Sequence, residues 1–177
     1  MSVRSRVGRA ALGRSDCEQI RDRALRQPVN AITSVSYLAA GASVAAQAMR
    51  AASVHRVALS LYAASLTTVG VGSIAYHGPQ PPWATRFHDG SIVASLAAAV
   101  LVVSTAPRTT PGPLRRRPVL LLTTLSAAVY RAGRSESRWC DPDSLVQLHA
   151  VWHLLSAVSA AALARTHSGP RVVRCDA

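Results

Sequence analysis

Five apolar runs, at roughly 29–49, 57–77, 90–107, 117–132 and 146–165, follow one another with short, turn-rich connections between them. Each approaches the ~20 residues that a helix needs to cross a bilayer. A chain built this way has few folds open to it, because hydrocarbon leaves every backbone N–H and C=O to be satisfied within the protein. The runs predict an all-α, multi-pass transmembrane helical bundle of about five membrane helices. The fourth is the shortest, and its "PVLLLTTLSAAVY" reads either as a span or as a re-entrant or buried piece. A basic segment at 1–27 precedes the bundle at 28–166, and 167–177 form a tail. No residues are left for a second domain.

The runs are mostly Ala, Val and Leu, and the whole chain has a single Phe, so close packing of small side chains is expected rather than a thick aromatic core. Alanine and glycine in "YLAAGASVAAQA" and "VGVGS" suit close backbone approach. The formal net charge of +12 comes from arginine alone among the basic side chains. Those arginines sit in the N-terminal segment, in "LRRRP" and in the connections, flanking apolar runs as in membrane proteins, and no nucleic-acid-binding motif accompanies them. They divide almost evenly between the two sides, which leaves orientation open. The N-terminus lacks the ~7–15-residue apolar stretch of a cleavable signal peptide. Trp83, Trp139 and Trp152 lie near run ends, as an interfacial belt would place them.

Five spans put the end of the second run and the starts of the third and fifth on one side. Ser73, His77, Asp89, His149 and His153 then share one layer. Ionisable groups at such positions are costly and face the bundle interior. Histidines at i and i+4 project from one helix face, and a third from a neighbouring helix completes a zinc site with a fourth position left open. Asp89 would be the carboxylate that orients water or takes its proton, and Ser73 would donate a hydrogen bond to an oxyanion. Each residue also has a plainer reading. Either histidine of "HAVWH" can be a packing residue bonded to a serine, Ser73 a small residue at a helix contact, and Asp89 an N-cap. Position 150 is Ala, so the pair is not the metalloprotease His-Glu-x-x-His. His88 is a weaker candidate ligand, because adjacent helical residues point about 100° apart, and is expected at the interface; His55 and His167 border connections and are assigned no role.

The order of Cys17-Glu18, "QPVNAITSVSYLAAG", "GVGSIAYH", a single Asp, then Cys140 and "HAVWH" resembles the alkaline ceramidase family, within the superfamily of intramembrane hydrolases that includes progestin and adiponectin receptors. The resemblance runs from about residue 16 to 165 and is sharpest at Ser-x-x-x-His (73–77) and His-x-x-Trp-His (149–153). It implies a zinc held by His77, His149 and His153, with Asp89 as the water-activating carboxylate and Ser73 beside it. It also implies hydrolysis of the amide bond of a ceramide-like lipid, a multi-pass place in a bacterial cell membrane, and a pairing of Cys17 with Cys140. The family fold has seven membrane helices, so this chain is a shortened member in which two helices between the Asp-bearing and His-bearing ones are missing. The alternative is a non-catalytic receptor or scaffold with a structural or sensory zinc. Of the family's N-terminal calcium motif only Cys17 and Glu18 match; Ser15 stands for its Asp, Asp16 for its Trp, Ile20 for its Asn, and Gln27 at a later Glu. Calcium requires several oxygen ligands, and with arginines nearby Glu18 and Asp22 have a simpler role as ion-pair partners.

Overall fold

The computed structural model describes residues 12–107 and 113–168. Helices α1 (Pro28–Thr33) and α2 (Val35–Ala48) make one rod interrupted at Ser34, and α3 (Ser53–His77), α4 (Ala84–Ser104), α5 (Pro113–Ala132) and α6 (Leu148–His167) follow. The result is a helical bundle. The interruption has a local cause, since Thr33 Oγ1 donates to the carbonyl of Val29 at 2.9 Å and Ser34 Oγ to that of Asn30 at 2.7 Å. Hydroxyls bonding back onto the preceding turn compete with the helical ladder and bend it.

Among the described residues three stretches, Pro28–Ala48, Ser53–His77 and Ala84–Ser104, are long and apolar enough to cross a membrane, against the five expected from the apolar runs. α5 and α6 have comparable length, but Arg115 to Arg117 fall in the first turns of α5, and α6 carries three histidines and Arg165.

α3 is the central element and packs on both α2 and α4. Two of its glycines explain how closely. A Cβ on Gly70 would run into the side chain of Leu38 from α2, and one on Gly72 would meet the backbone of His88 in α4 at 3.0 Å. α6 packs on α2 and α5, and more lightly on α4. No comparable packing joins α4 to α5 among the described residues. The core is correspondingly fine-grained: Val44, Leu59, Leu66, Val69, Val102 and a series of buried alanines. A cavity of about 280 Å³ lies among α2 to α6, walled by Tyr37, Leu96, Val119, Thr123, Trp152 and Leu163.

The segment at 12–27 is folded over the end of the bundle where α3 stops and α6 starts. Cys17 N–H donates to the carbonyl of Gly133, Ser135 N–H to that of Ser15, and Gln19 N–H to that of Pro142. Cys17 and Cys140 are joined by a disulfide. Glu18 is no arginine partner: its two carboxylate oxygens accept from the N–H groups of Val29 and Asn30 at 2.7 and 2.8 Å. It thereby caps the N-terminus of α1 from outside the helix, where a carboxylate is favoured. The expected tail begins within α6, and its residues 169–177 lie outside the described residues.

Candidate metal centre

His77 is the last residue of α3, and His149 and His153 lie in the first two turns of α6. All three are buried, and each offers a ring nitrogen within 4.8 Å of one from the others. The ring centroids of His77 stand 5.2 Å from those of both His149 and His153. Helix parity thus brought together the three residues that the sequence singled out.

The hydrogen bonds around the cluster fix which nitrogen of the His77 and His153 rings is free. Gln27 Nε2 donates to the carbonyls of Gly13 and Glu18 at 3.0 and 2.9 Å, so its Oε1 is the acceptor facing His77 Nδ1 at 2.8 Å. His77 therefore carries its proton on Nδ1. The same reasoning holds for His153. Its Nδ1 meets Thr33 Oγ1 at 3.2 Å and Ser34 Oγ at 3.4 Å, and both hydroxyl protons are already given to backbone carbonyls. His149 Nδ1 lies 3.3 Å from Asp16 Oδ1 without making a hydrogen bond to it. The Nε2 atoms of His77 and His153 are left buried without a partner among the described residues. A buried polar atom is rarely left unpaired. Imidazoles held through one nitrogen by an acceptor, with the other bare and convergent, are how metal-binding histidines are arranged. The three can hold a metal ion, and the donor set is compatible with zinc.

Asp16 is the carboxylate beside this cluster. Its side chain is 4% exposed, Oδ1 accepts from Arg134 at 3.0 Å, and Oδ2 is 4.0 Å from His77 Nδ1. Burial pushes its carboxyl up to about 6, against the opposing pull of the Arg134 guanidinium. Asp89 is elsewhere. Its side chain is 66% exposed and is paired with its neighbour His88 at 2.9 Å. The physical reason is where α4 begins: Pro81, Pro82 and Trp83 start the helix at Ala84, so Asp89 is in its second turn and neither caps it nor faces the histidines. Ser73 is fully buried on α3, one turn before His77.

Aromatic rings close the cluster. Tyr76 stacks on His88 at 4.6 Å, and Trp152 lies 4.9 Å from His149 and 5.2 Å from His153. Trp152 is a wall of the site rather than part of an exposed belt, whereas Trp83 and Trp139 are exposed as expected. The one trace of Asp16 and Gln27 in the sequence is that they stand at two of the four departures from the calcium motif, Asp for Trp and Gln for Glu. No protein-family model, curated protein or solved structure matches the chain.

Proposed function

We propose that this chain is a zinc-dependent hydrolase, multi-pass in a bacterial cell membrane, that cleaves an amide bond of a ceramide-like lipid. The observation that carries the reading is the convergence of three buried imidazoles, two of which, His77 and His153, are held at Nδ1 with Nε2 left free. His77, His149 and His153 would hold the ion. Bound there, zinc would supply a Lewis acid able to lower the pKa of a water towards ~7.

The chain's own residues support this in four ways. Gln27 and Thr33 with Ser34 hold the ring protons of His77 and His153 on the outer nitrogens. Ser73 places a buried hydroxyl on the helix face that carries His77, suited to donating to a carbonyl oxygen that gains charge. Asp16, not Asp89, is the carboxylate beside the ligands. The cavity among α2 to α6 shares Tyr37 and Trp152 with the surroundings of His153 and is otherwise largely apolar, as a lipid tail requires.

Purified protein is expected to hold about one zinc per chain and to release a fatty acid from an N-acyl lipid. His149→Ala should lose both. Wild-type protein without zinc would overturn the reading. A non-catalytic metal site, structural or sensory, is favoured by one observation, the outward position of Asp89. Wild-type protein that keeps its zinc but hydrolyses no acyl amide would establish that alternative.

A further inference from the structure

Several hydroxyls line the cavity of about 280 Å³ among α2 to α6, and their protons can be traced. Ser95, Thr123 and Ser156 donate to carbonyls of their own helices, those of Ile92, Val119 and Trp152, at 2.8, 2.8 and 2.6 Å. With those protons committed, Tyr37 donates to Ser156 Oγ at 2.6 Å and Ser159 to Thr123 Oγ1 at 2.7 Å. Ser126 differs from all of these. It lines the same cavity, is 4% exposed, and its Oγ has no partner among the described residues. It thus forgoes the bond to the preceding turn that a serine inside a helix has within reach. Alanine would fill the position without leaving a buried hydroxyl bare.

The cavity changes character along its length. At one end Tyr37 and Trp152 stand against His153, with ring centroids 5.8 and 5.2 Å from it. Ser126 lies four residues before Tyr130 on α5, and the Tyr130 ring is 5.8 Å from that of His149. Four residues are about 6 Å of helix rise, so the bare hydroxyl is roughly one turn deeper than the histidines. At the other end Leu96, Ala99 and Leu163 lead into a second space of about 350 Å³, walled also by Val100 and Val103. From the candidate metal centre onward, the walls run from imidazole through a free hydroxyl to hydrocarbon.

We infer that this cavity selects an acyl chain that carries a hydroxyl on the third carbon, and that Ser126 is the residue that reads it. The inference rests on the hydrolase reading above for placing the acyl carbonyl at the histidines, but not for the hydroxyl. Ser126 Oγ can donate to that oxygen and accept from it, and the bond closes the one hydroxyl on this wall that the fold leaves open. Depth sets the position on the chain. With C–C bonds of about 1.5 Å, a partner about 6 Å below the histidines belongs on one of the first carbons after the carbonyl. A hydroxyl at the far end of the chain would instead lie among leucine and valine side chains, desolvated and unpaired.

The test uses the full chain in detergent and three probes, the N-butyl amides of dodecanoic, 3-hydroxydodecanoic and 12-hydroxydodecanoic acid. Zinc content, melting temperature, equilibrium binding and hydrolysis are measured for wild type and Ser126→Ala. Wild type is expected to bind the 3-hydroxy amide about three- to tenfold more tightly than the plain one, the worth of one neutral hydrogen bond, and to gain nothing from the 12-hydroxyl. Ser126→Ala should bind the 3-hydroxy and plain amides alike, with zinc content and melting temperature unchanged. Wild type that binds none of the probes, binds the 3-hydroxy and plain amides alike, or gains as much from the 12-hydroxyl overturns the inference. So does a preference that survives in Ser126→Ala, and so does a variant that loses zinc or melting temperature along with the preference, because the hydroxyl would then be structural. A Ser126-dependent preference in binding without cleavage would sustain the recognition role and overturn the hydrolase reading alone.

Discussion

Gln27 Oε1 accepts the Nδ1 proton of His77 at 2.8 Å, across a separation of 50 residues in the chain. The amide that makes this bond is oriented by Gly13 and Glu18, so the outer support of one ligand is assembled from the N-terminal segment rather than from a membrane helix. Gly13 is in the left-handed region at φ 73°, and a Cβ there would collide with Gln27. Removing the acceptor with Gln27→Ala is expected to weaken zinc binding about 10–100-fold, the usual worth of such an outer partner. Competition with a chelator of known affinity measures it, and unchanged affinity would mean that His77 needs no support.

Asp16 should matter more for stability than its distance from the apolar core suggests. It is buried between Arg134 and His149, and Arg134 is itself mostly covered. Deleting one partner of a buried ion pair leaves the other charge uncompensated, at a cost of about 3–5 kcal/mol. Asp16→Ala is therefore expected to lower the denaturation midpoint and zinc occupancy together, whereas Asp89→Ala, at an exposed position, should leave both unchanged. Calorimetry with metal analysis on the two variants decides the point.

Gly133 ends the turn after α5 and lies against the start of α6. A Cβ at this position would meet the backbone nitrogen of His149 at 2.5 Å and the carbonyl carbon of Leu148 at 2.9 Å. These are backbone atoms, so a rotamer change cannot relieve them. Gly133→Ala is expected to shift the first turn of α6 and with it His149, lowering zinc affinity at least tenfold, the order seen when the groups that orient a ligand are disturbed. The same substitution at Gly90, where nothing lies within 4 Å, should be silent.

Metal should report directly on the fold. Three buried imidazoles with bare nitrogens gain a common partner when the ion binds, and a ligand present at about 100 times its Kd adds about 2.7 kcal/mol to unfolding. Zinc added to stripped protein is expected to raise the melting temperature of wild type and not of His153→Ala. A wild-type melting temperature indifferent to zinc would count against the centre.

The fold and the clustering of the three histidines were legible in the sequence because each rests on a repeated or periodic signal. Apolar runs gave the helices, and parity with i, i+4 spacing gave His77, His149 and His153. Asp89 was misplaced for a local reason, the proline pair that starts α4 earlier than the apolar run does. α5 likewise begins at Pro113, ahead of its apolar stretch. Asp16, Gln27, Asn30 and Arg134 belong to contacts set by a left-handed glycine, by helix capping from outside the helix and by backbone pairing between 13–19 and 133–142. None of these leaves a period in the sequence, and the contacts themselves form only when distant segments are placed side by side.

The disulfide between Cys17 and Cys140 spans 123 residues and closes a covalent ring around α1 to α5. α6 lies outside that ring, and it brings two of the three histidines. Position of a cut therefore matters more than number of cuts. A protease nick between His77 and Cys140 leaves all three histidines on one molecule until a reductant is added. A nick between Cys140 and Leu148 separates His149 and His153 from His77 at once, which makes that short connector the single covalent hinge on which the centre depends.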